Sequence, residues 1–204
     1  MRSGGQAAHD VRFEWGARGA AAIADGADVV VVVDVLAGST SVADRLDSGE
    51  PVVTLDPDAA ADRLAGELQG YATTVVTAGL RNARAVADWI AREHDEDTAT
   101  VAVVALGETW PDGSLRPALE DLWGAGAVLA ALEDHGWPGL SPEAASAADA
   151  YRLIAGREAG HLRACASGAA LLGEDRGDEL ARAATVGAST TVPLLGTRGF
   201  VPAP

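Results

Sequence analysis

Residues 28–40 read DVVVVVDVLAGST, and this stretch decides the fold. Five consecutive valines are β-branched and disfavour a helix. An uninterrupted apolar run bounded by Asp28 and Asp34 predicts a strand covered on both faces, as parallel sheets require. Asp34 then stands at the carboxyl end of that strand, and Gly38-Ser39-Thr40 supplies a turn and a helix cap.

Working outward, the same alternation recurs. Val11 to Trp15 alternates apolar and polar residues and predicts a short strand, with a helix over 18–24. Downstream of the valine strand the pattern predicts a helix to Asp47, a strand over 51–55, and a helix from Pro57 to Leu68 capped by Asp56. Strands follow at 73–77, 100–106 and 190–195. Helices are expected at 81–94 (capped by Asn82), 117–133, 142–156 (capped by Ser141), 158–172 and 174–183. Strands alternating with helices imply an α/β fold in three layers, a mostly parallel central sheet with helices on both faces. A flexible tail is expected at 1–10 and a single domain over 11–204.

The formal net charge is −15, from 30 acidic residues against 15 basic ones, all arginine. A field of that sign repels nucleic acid and anionic membrane. The longest apolar run is far too short to span a bilayer, and 1–9 lack a signal-peptide pattern, so a cytoplasmic location is expected. Cys165 has no disulfide partner. It reads as a small buried side chain, because a catalytic thiol wants an electropositive setting and a histidine, and His161 is the nearest in sequence.

Carboxyl ends of parallel strands are where α/β proteins place their sites. Asp34 there is either a turn acceptor or a ligand for Mg²⁺, and Ser39 and Thr40 are either caps or anion donors. Arg81 is either a solvated charge or an anion ligand, and Asn82 reads as a cap. The longest connection, 107–117 (GETWPDGSLRP), carries Glu108, Asp112 and Arg116, and leads into Glu120-Asp121. Adjacent helical residues point about 100° apart, so one of Glu120 and Asp121 is expected in solvent. Asp34, Glu108 and the other can converge on a hard divalent cation if their strands are neighbours. No zinc spacing, P-loop, dinucleotide fingerprint or nucleophile elbow is present.

At these residues the chain resembles the 2-phosphosulfolactate phosphatase family of coenzyme M biosynthesis, with the look of its actinobacterial branch. The matching stretches are FEWGARGA (13–20), VVVVVDVLAGST (29–40), AGLRNARAVADWI (78–90), GETWPDGSLRPALEDLWGAGAVLAAL (107–132) and CASGAALLG (165–173). The resemblance implies an Mg²⁺-dependent hydrolase of a small anionic phosphomonoester, and a homodimer. By matching motif it implies site positions Asp34, Ser39, Thr40, Asn82, Glu108, Glu120 and Asp121. The expected roles are catalytic for Asp34, Glu108 and Asp121, and substrate-binding for Ser39, Thr40, Arg81, Asn82 and Arg116. Metal ligation is expected of Asp34, Glu108, Glu120 and Asp121. The chain departs from the family pattern at Ala37 and Ala169, where arginine or a bulkier residue is usual, and in a shortened middle between Leu68 and Thr73. Those departures leave a second expectation open, a repurposed relative that binds a small molecule or does other chemistry. A purely structural dimer is a third.

Overall fold

The computed structural model describes residues 6–36, 38–71 and 73–204. The expected tail falls outside them at 1–5, as does Ala37. Six strands form the main sheet in the order β1-β4-β2-β3-β7-β8. These are β1 (Val11–Trp15), β2 (Val29–Val33), β3 (Thr74–Ala78), β4 (Val101–Ala105), β7 (Pro193–Gly196) and β8 (Gly199–Pro202). The first four run parallel, and β7 and β8 are antiparallel. All five valines of β2 are buried. Val29, Val31 and Val33 face one core and Val30 and Val32 the other, the period of two that a strand imposes.

Helices α1 (Gly16–Ile23), α2 (Gly38–Asp47) and α3 (Ala60–Leu68) cover the Val30/Val32 face. Helices α4 (Ala83–Glu93), α5 (Leu119–Asp134) and α6 (Pro142–Ile154) cover the other, with α7 (Glu158–Ala164), α8 (Ala166–Gly173) and α9 (Gly177–Ala183) beside them. The three-layer α/β architecture is thus as the valine run implied.

Several local expectations are corrected. Residues 51–55 make only an isolated bridge, Val53 to Phe200, because Phe200 N–H and C=O pair with Val53 alone. The third helix starts at Ala60 rather than Pro57. The Asp56 carboxylate accepts the Asp58 N–H and closes a turn before the helix begins. The expected helix over 158–172 breaks at Cys165, whose extended backbone (φ −69°, ψ 162°) ends α7 and opens α8. The 107–117 connection holds a small hairpin, β5 (Glu108–Thr109) against β6 (Leu115–Arg116). Gln6 departs from the free tail expected at 1–10. Its amide donates to Phe13 C=O (2.6 Å) and accepts from Phe13 N–H (2.9 Å), occupying the open edge of β1 as a strand would.

This topology creates a crevice. Strands β2 and β4 are neighbours, yet the helix after β2 lies on one face and the helix after β4 on the other. At such a switch point the two outgoing loops part and leave an opening at the carboxyl edge of the sheet. Asp34 leaves β2 on one side of it, and Leu106-Gly107-Glu108 leaves β4 on the other.

Candidate active site

A cleft of about 520 Å³ occupies this crevice. Asp34, Glu108, Glu120 and Asp121 all line it, together with Arg116, Ser167 and Arg176. Carboxylates of separate βα units therefore line one cleft.

Asp121 closes the crevice from behind. It sits in the first turn of α5, where a negative charge suits the helix dipole. One carboxylate oxygen accepts Val35 N–H (2.8 Å) from the end of β2, and the other accepts Gly107 N–H (2.9 Å) from the end of β4. Its pKa is pushed well above the ordinary carboxylate range. Burial is the main cause and the nearby Asp34 charge the next, with Glu120 adding to them, while the two N–H donors pull the other way. Glu120 is buried as well, 3% exposed, so neither member of the adjacent pair points to solvent as expected. The cleft wall curves around the first turn of α5, and both side chains reach it.

Glu108 differs from the other three acids. One of its oxygens accepts from Arg116 and the other from the Ser167 hydroxyl, and Arg116 also donates to Ser167 (3.2 Å). Burial raises its pKa, but those hydrogen bonds and the Arg116 charge outweigh it, so Glu108 stays below the ordinary range and ionised. With both oxygens engaged, its geometry is that of an anchor for Arg116 and Ser167. Arg116 also lies over the Trp110 ring, 5.5 Å from its centroid.

Among the described residues no three His, Cys, Asp or Glu side chains form a metal-binding group. An all-protein cage for zinc or calcium is therefore not present in them. Mg²⁺ asks less of a protein, since it takes one or two carboxylates and fills its octahedron with water and phosphate oxygens, and Asp34, Glu120 and Asp121 are hard oxygen donors of the type it uses.

Ser39, Thr40, Arg81 and Asn82 do not line this cleft. The Ser39 hydroxyl accepts Asp34 N–H (3.0 Å), and Thr40 donates to Val35 C=O (2.7 Å), so both shape the turn that aims Asp34. Gly38 serves the same turn, since a Cβ there would sit 2.9 Å from the Asp34 carboxylate. Arg81 pairs with Asp44 (2.9 Å) and donates to Arg182 C=O (3.1 Å). Asn82 is 1% exposed. Its side chain accepts Gly79 N–H (2.9 Å) and donates to Thr191 C=O (3.1 Å), joining β3 to the chain before β7. Removing it leaves a buried N–H without its acceptor. Asn82→Ala should therefore cost about 2 kcal/mol in urea unfolding while leaving ligand affinity of the cleft unchanged.

Two lining residues escaped the sequence. Ser167 and Arg176 come from α8 and the turn before α9, far along the chain, and no local pattern joins them to β2 or β4. Arg176 forks onto Glu179 and Glu174. Cys165 behaves as the bland expectation held. It is buried, and its pKa is pushed up to about 11, by burial first and also by the charge and hydrogen bonding of Glu120, so it stays a thiol at neutral pH.

The fold is that of a doubly wound α/β protein, with acidic side chains lining the crevice at its switch point. No helix among the described residues is long and apolar enough to cross a membrane. A model of the 2-phosphosulpholactate phosphatase family matches residues 60–198, more than half of the 204, and the chain belongs to that family. The matched part contains Glu108, Arg116, Glu120, Asp121 and Ser167, whereas Asp34 precedes it. No curated protein matches the chain.

Proposed function

We propose that the chain hydrolyses a small anionic phosphomonoester of the 2-phosphosulfolactate kind with the help of Mg²⁺. The observation that carries this is that Asp34, Glu120 and Asp121 line one cleft together with Arg116 and Ser167. Family membership supports phosphatase chemistry, and the cleft supplies its parts.

Asp34 and Asp121, with Glu120 behind them, are the residues that would hold the metal. When bound, Mg²⁺ supplies charge neutralisation and polarisation of phosphoryl oxygens. The chain's own contribution begins with electrostatics. Burial first, and then repulsion from Asp34 and Glu120, makes Asp121 resist ionisation, and a cation there would offset the repulsion of these acids for one another and for an approaching phosphate. Arg116 brings a permanent positive charge, and Glu108 fixes it in position. Ser167 offers a hydroxyl held between the two. Leu36, Leu106 and Leu171 restrict water around the site. A solution homodimer is part of the same proposal, read by analytical ultracentrifugation.

The test is phosphate release from a panel of small phosphoesters, 2-phosphosulfolactate included, with and without Mg²⁺, beside calorimetric Mg²⁺ titration. Magnesium-dependent release is expected. Absence of both Mg²⁺ binding and release across the panel overturns the proposal. One observation favours a second reading, a binding protein without turnover: both Asp121 oxygens are already committed to backbone N–H groups. Phosphoester binding without release would select it.

A further inference from the structure

A second cleft, about 470 Å³, abuts the first. The two share the wall made by Ala60, Leu106, Gly107, Glu108 and Thr109. Its character is opposite. Trp15, Leu64 and Leu115 give it an apolar floor, and Arg18 and Arg63 line it.

Acids outnumber basic residues 30 to 15, and eight arginines hold a carboxylate within 4.0 Å. Among the described residues, Arg18 and Arg63 hold none, as do Arg12, Arg157, Arg163 and Arg198, but of these six only Arg18 and Arg63 line this cleft. Arg63 instead donates through one terminal nitrogen to the carbonyls of Pro57 (3.1 Å) and Asp58 (2.8 Å). That fixes the side chain without neutralising it, and Nε and the other terminal nitrogen are left for a ligand. Arg18 lies in the first turn of α1, which has no side-chain cap. Two acids also line the cleft. Glu108 is neutralised by Arg116, which stands outside this cleft, and Glu67 stands one turn beyond Arg63 on α3, so the lining itself balances at two charges of each sign and Arg116 leaves one positive charge in excess within a chain of net −15.

Resting on the phosphatase reading of the neighbouring cleft, we propose that Arg18 and Arg63 form a subsite for the remote acid group of the substrate. The phosphate end sits against Asp34 and Asp121, an apolar carbon chain crosses the shared wall, and a terminal carboxylate or sulfonate meets the two guanidinium groups. Arginine suits that role because its planar fork matches such oxygens in pairs. Size agrees, since each cleft alone falls in the range of roughly 300–1,000 Å³ that holds ligands much larger than a three-carbon acid. The substrate class is therefore an extended phosphomonoester with an acid group at its far end.

The test compares the full chain with its Arg18→Gln/Arg63→Gln variant. Substrates are p-nitrophenyl phosphate, which has no second acid, and ω-phospho-hydroxyalkanoates of two to six carbons. KM of the native chain should fall about tenfold or more as the acid reaches the subsite. The variant should lose that gain while keeping its kcat and its activity on p-nitrophenyl phosphate. A KM independent of chain length, or unchanged by the substitutions, overturns the subsite. If no phosphoester is turned over, the phosphatase reading fails, and the subsite is read separately by calorimetry with 6-phosphonohexanoate. Binding to the native chain that weakens about tenfold in the variant upholds it, and no binding to the native chain sinks it. Should the double variant unfold, Arg18→Gln alone is used.

Discussion

Replacing Asp34 by alanine should remove Mg²⁺ binding and lower phosphate release on the order of a hundredfold or more, with the fold intact. The backbone of Asp34 keeps its hold on the turn in the variant: its N–H donates to the Ser39 hydroxyl and its C=O accepts Ser39 N–H (2.9 Å). The Asp34 carboxylate also acts on Asp121 through charge. Asp121 is pushed up by burial and then by the charge of Asp34. An acid raised in the folded state contributes stability that is complete below its unfolded value, about 3.9, and lost as pH rises through the folded value. The metal-free protein should accordingly lose Tm as pH climbs from about 4 through the raised value of Asp121, and Asp34→Ala should lose less. Mg²⁺ must displace that proton, so its stabilising increment should grow over the same window. Thermal unfolding from about pH 4 to 8, with and without Mg²⁺, reads both trends. An increment that ignores pH, or that survives Asp34→Ala, puts the metal elsewhere.

The valine run made the layering legible because burial on both faces leaves one kind of strand. The position of Asp34 followed, since a residue ending a central parallel strand must reach the carboxyl edge. The neighbourhood of β2 and β4 did not follow. Both lie in the middle of the chain's β-α alternation, and only the sheet order shows that their loops part at a common crevice. Ser39, Thr40 and Asn82 carried the residue types of an anion site, yet each spends its polar atoms on backbone groups within its own turn or on the approach to β7. A sequence cannot tell a donor aimed outward from one turned back on its own chain. Ser167 and Arg176 were invisible for the converse reason. Their helices reach the cleft through tertiary contact alone, and the 165–173 stretch that contains Ser167 does not say what its hydroxyl faces. Glu108 was read as a ligand because its partner Arg116 is eight residues away across a hairpin that the loop's glycine and prolines concealed.

A large effect on stability should come from glycines in α5, and two of them separate packing from chemistry. A Cβ on Gly126 would lie 2.1 Å from Ala147 C=O and 2.8 Å from Tyr151 Cβ. The first contact is backbone of α6, which cannot swing aside, so α5 and α6 must move apart. Alanine gains about 1 kcal/mol over glycine in helix propensity, and this gain opposes the clash. Valine loses part of that gain through its stiff χ1 and adds two methyl groups to a filled interface. Gly126→Val should therefore cost about 3 kcal/mol and lower Tm by roughly 6–12 °C. Gly124 is packed differently. A Cβ there would lie 2.5 Å from Val35 Cγ2 and 2.8 Å from Val33 Cγ1, one turn along the helix from Asp121. Lifting α5 off β2 at that point pulls the Asp121 carboxylate from Val35 N–H and opens the crevice. Gly124→Ala should thus depress both Tm and Mg²⁺ affinity, while Gly126→Val depresses Tm with the Mg²⁺ affinity of the remaining folded protein unchanged. Equal losses of affinity in the two variants would mean that Asp121 is not held by the seating of α5 on β2.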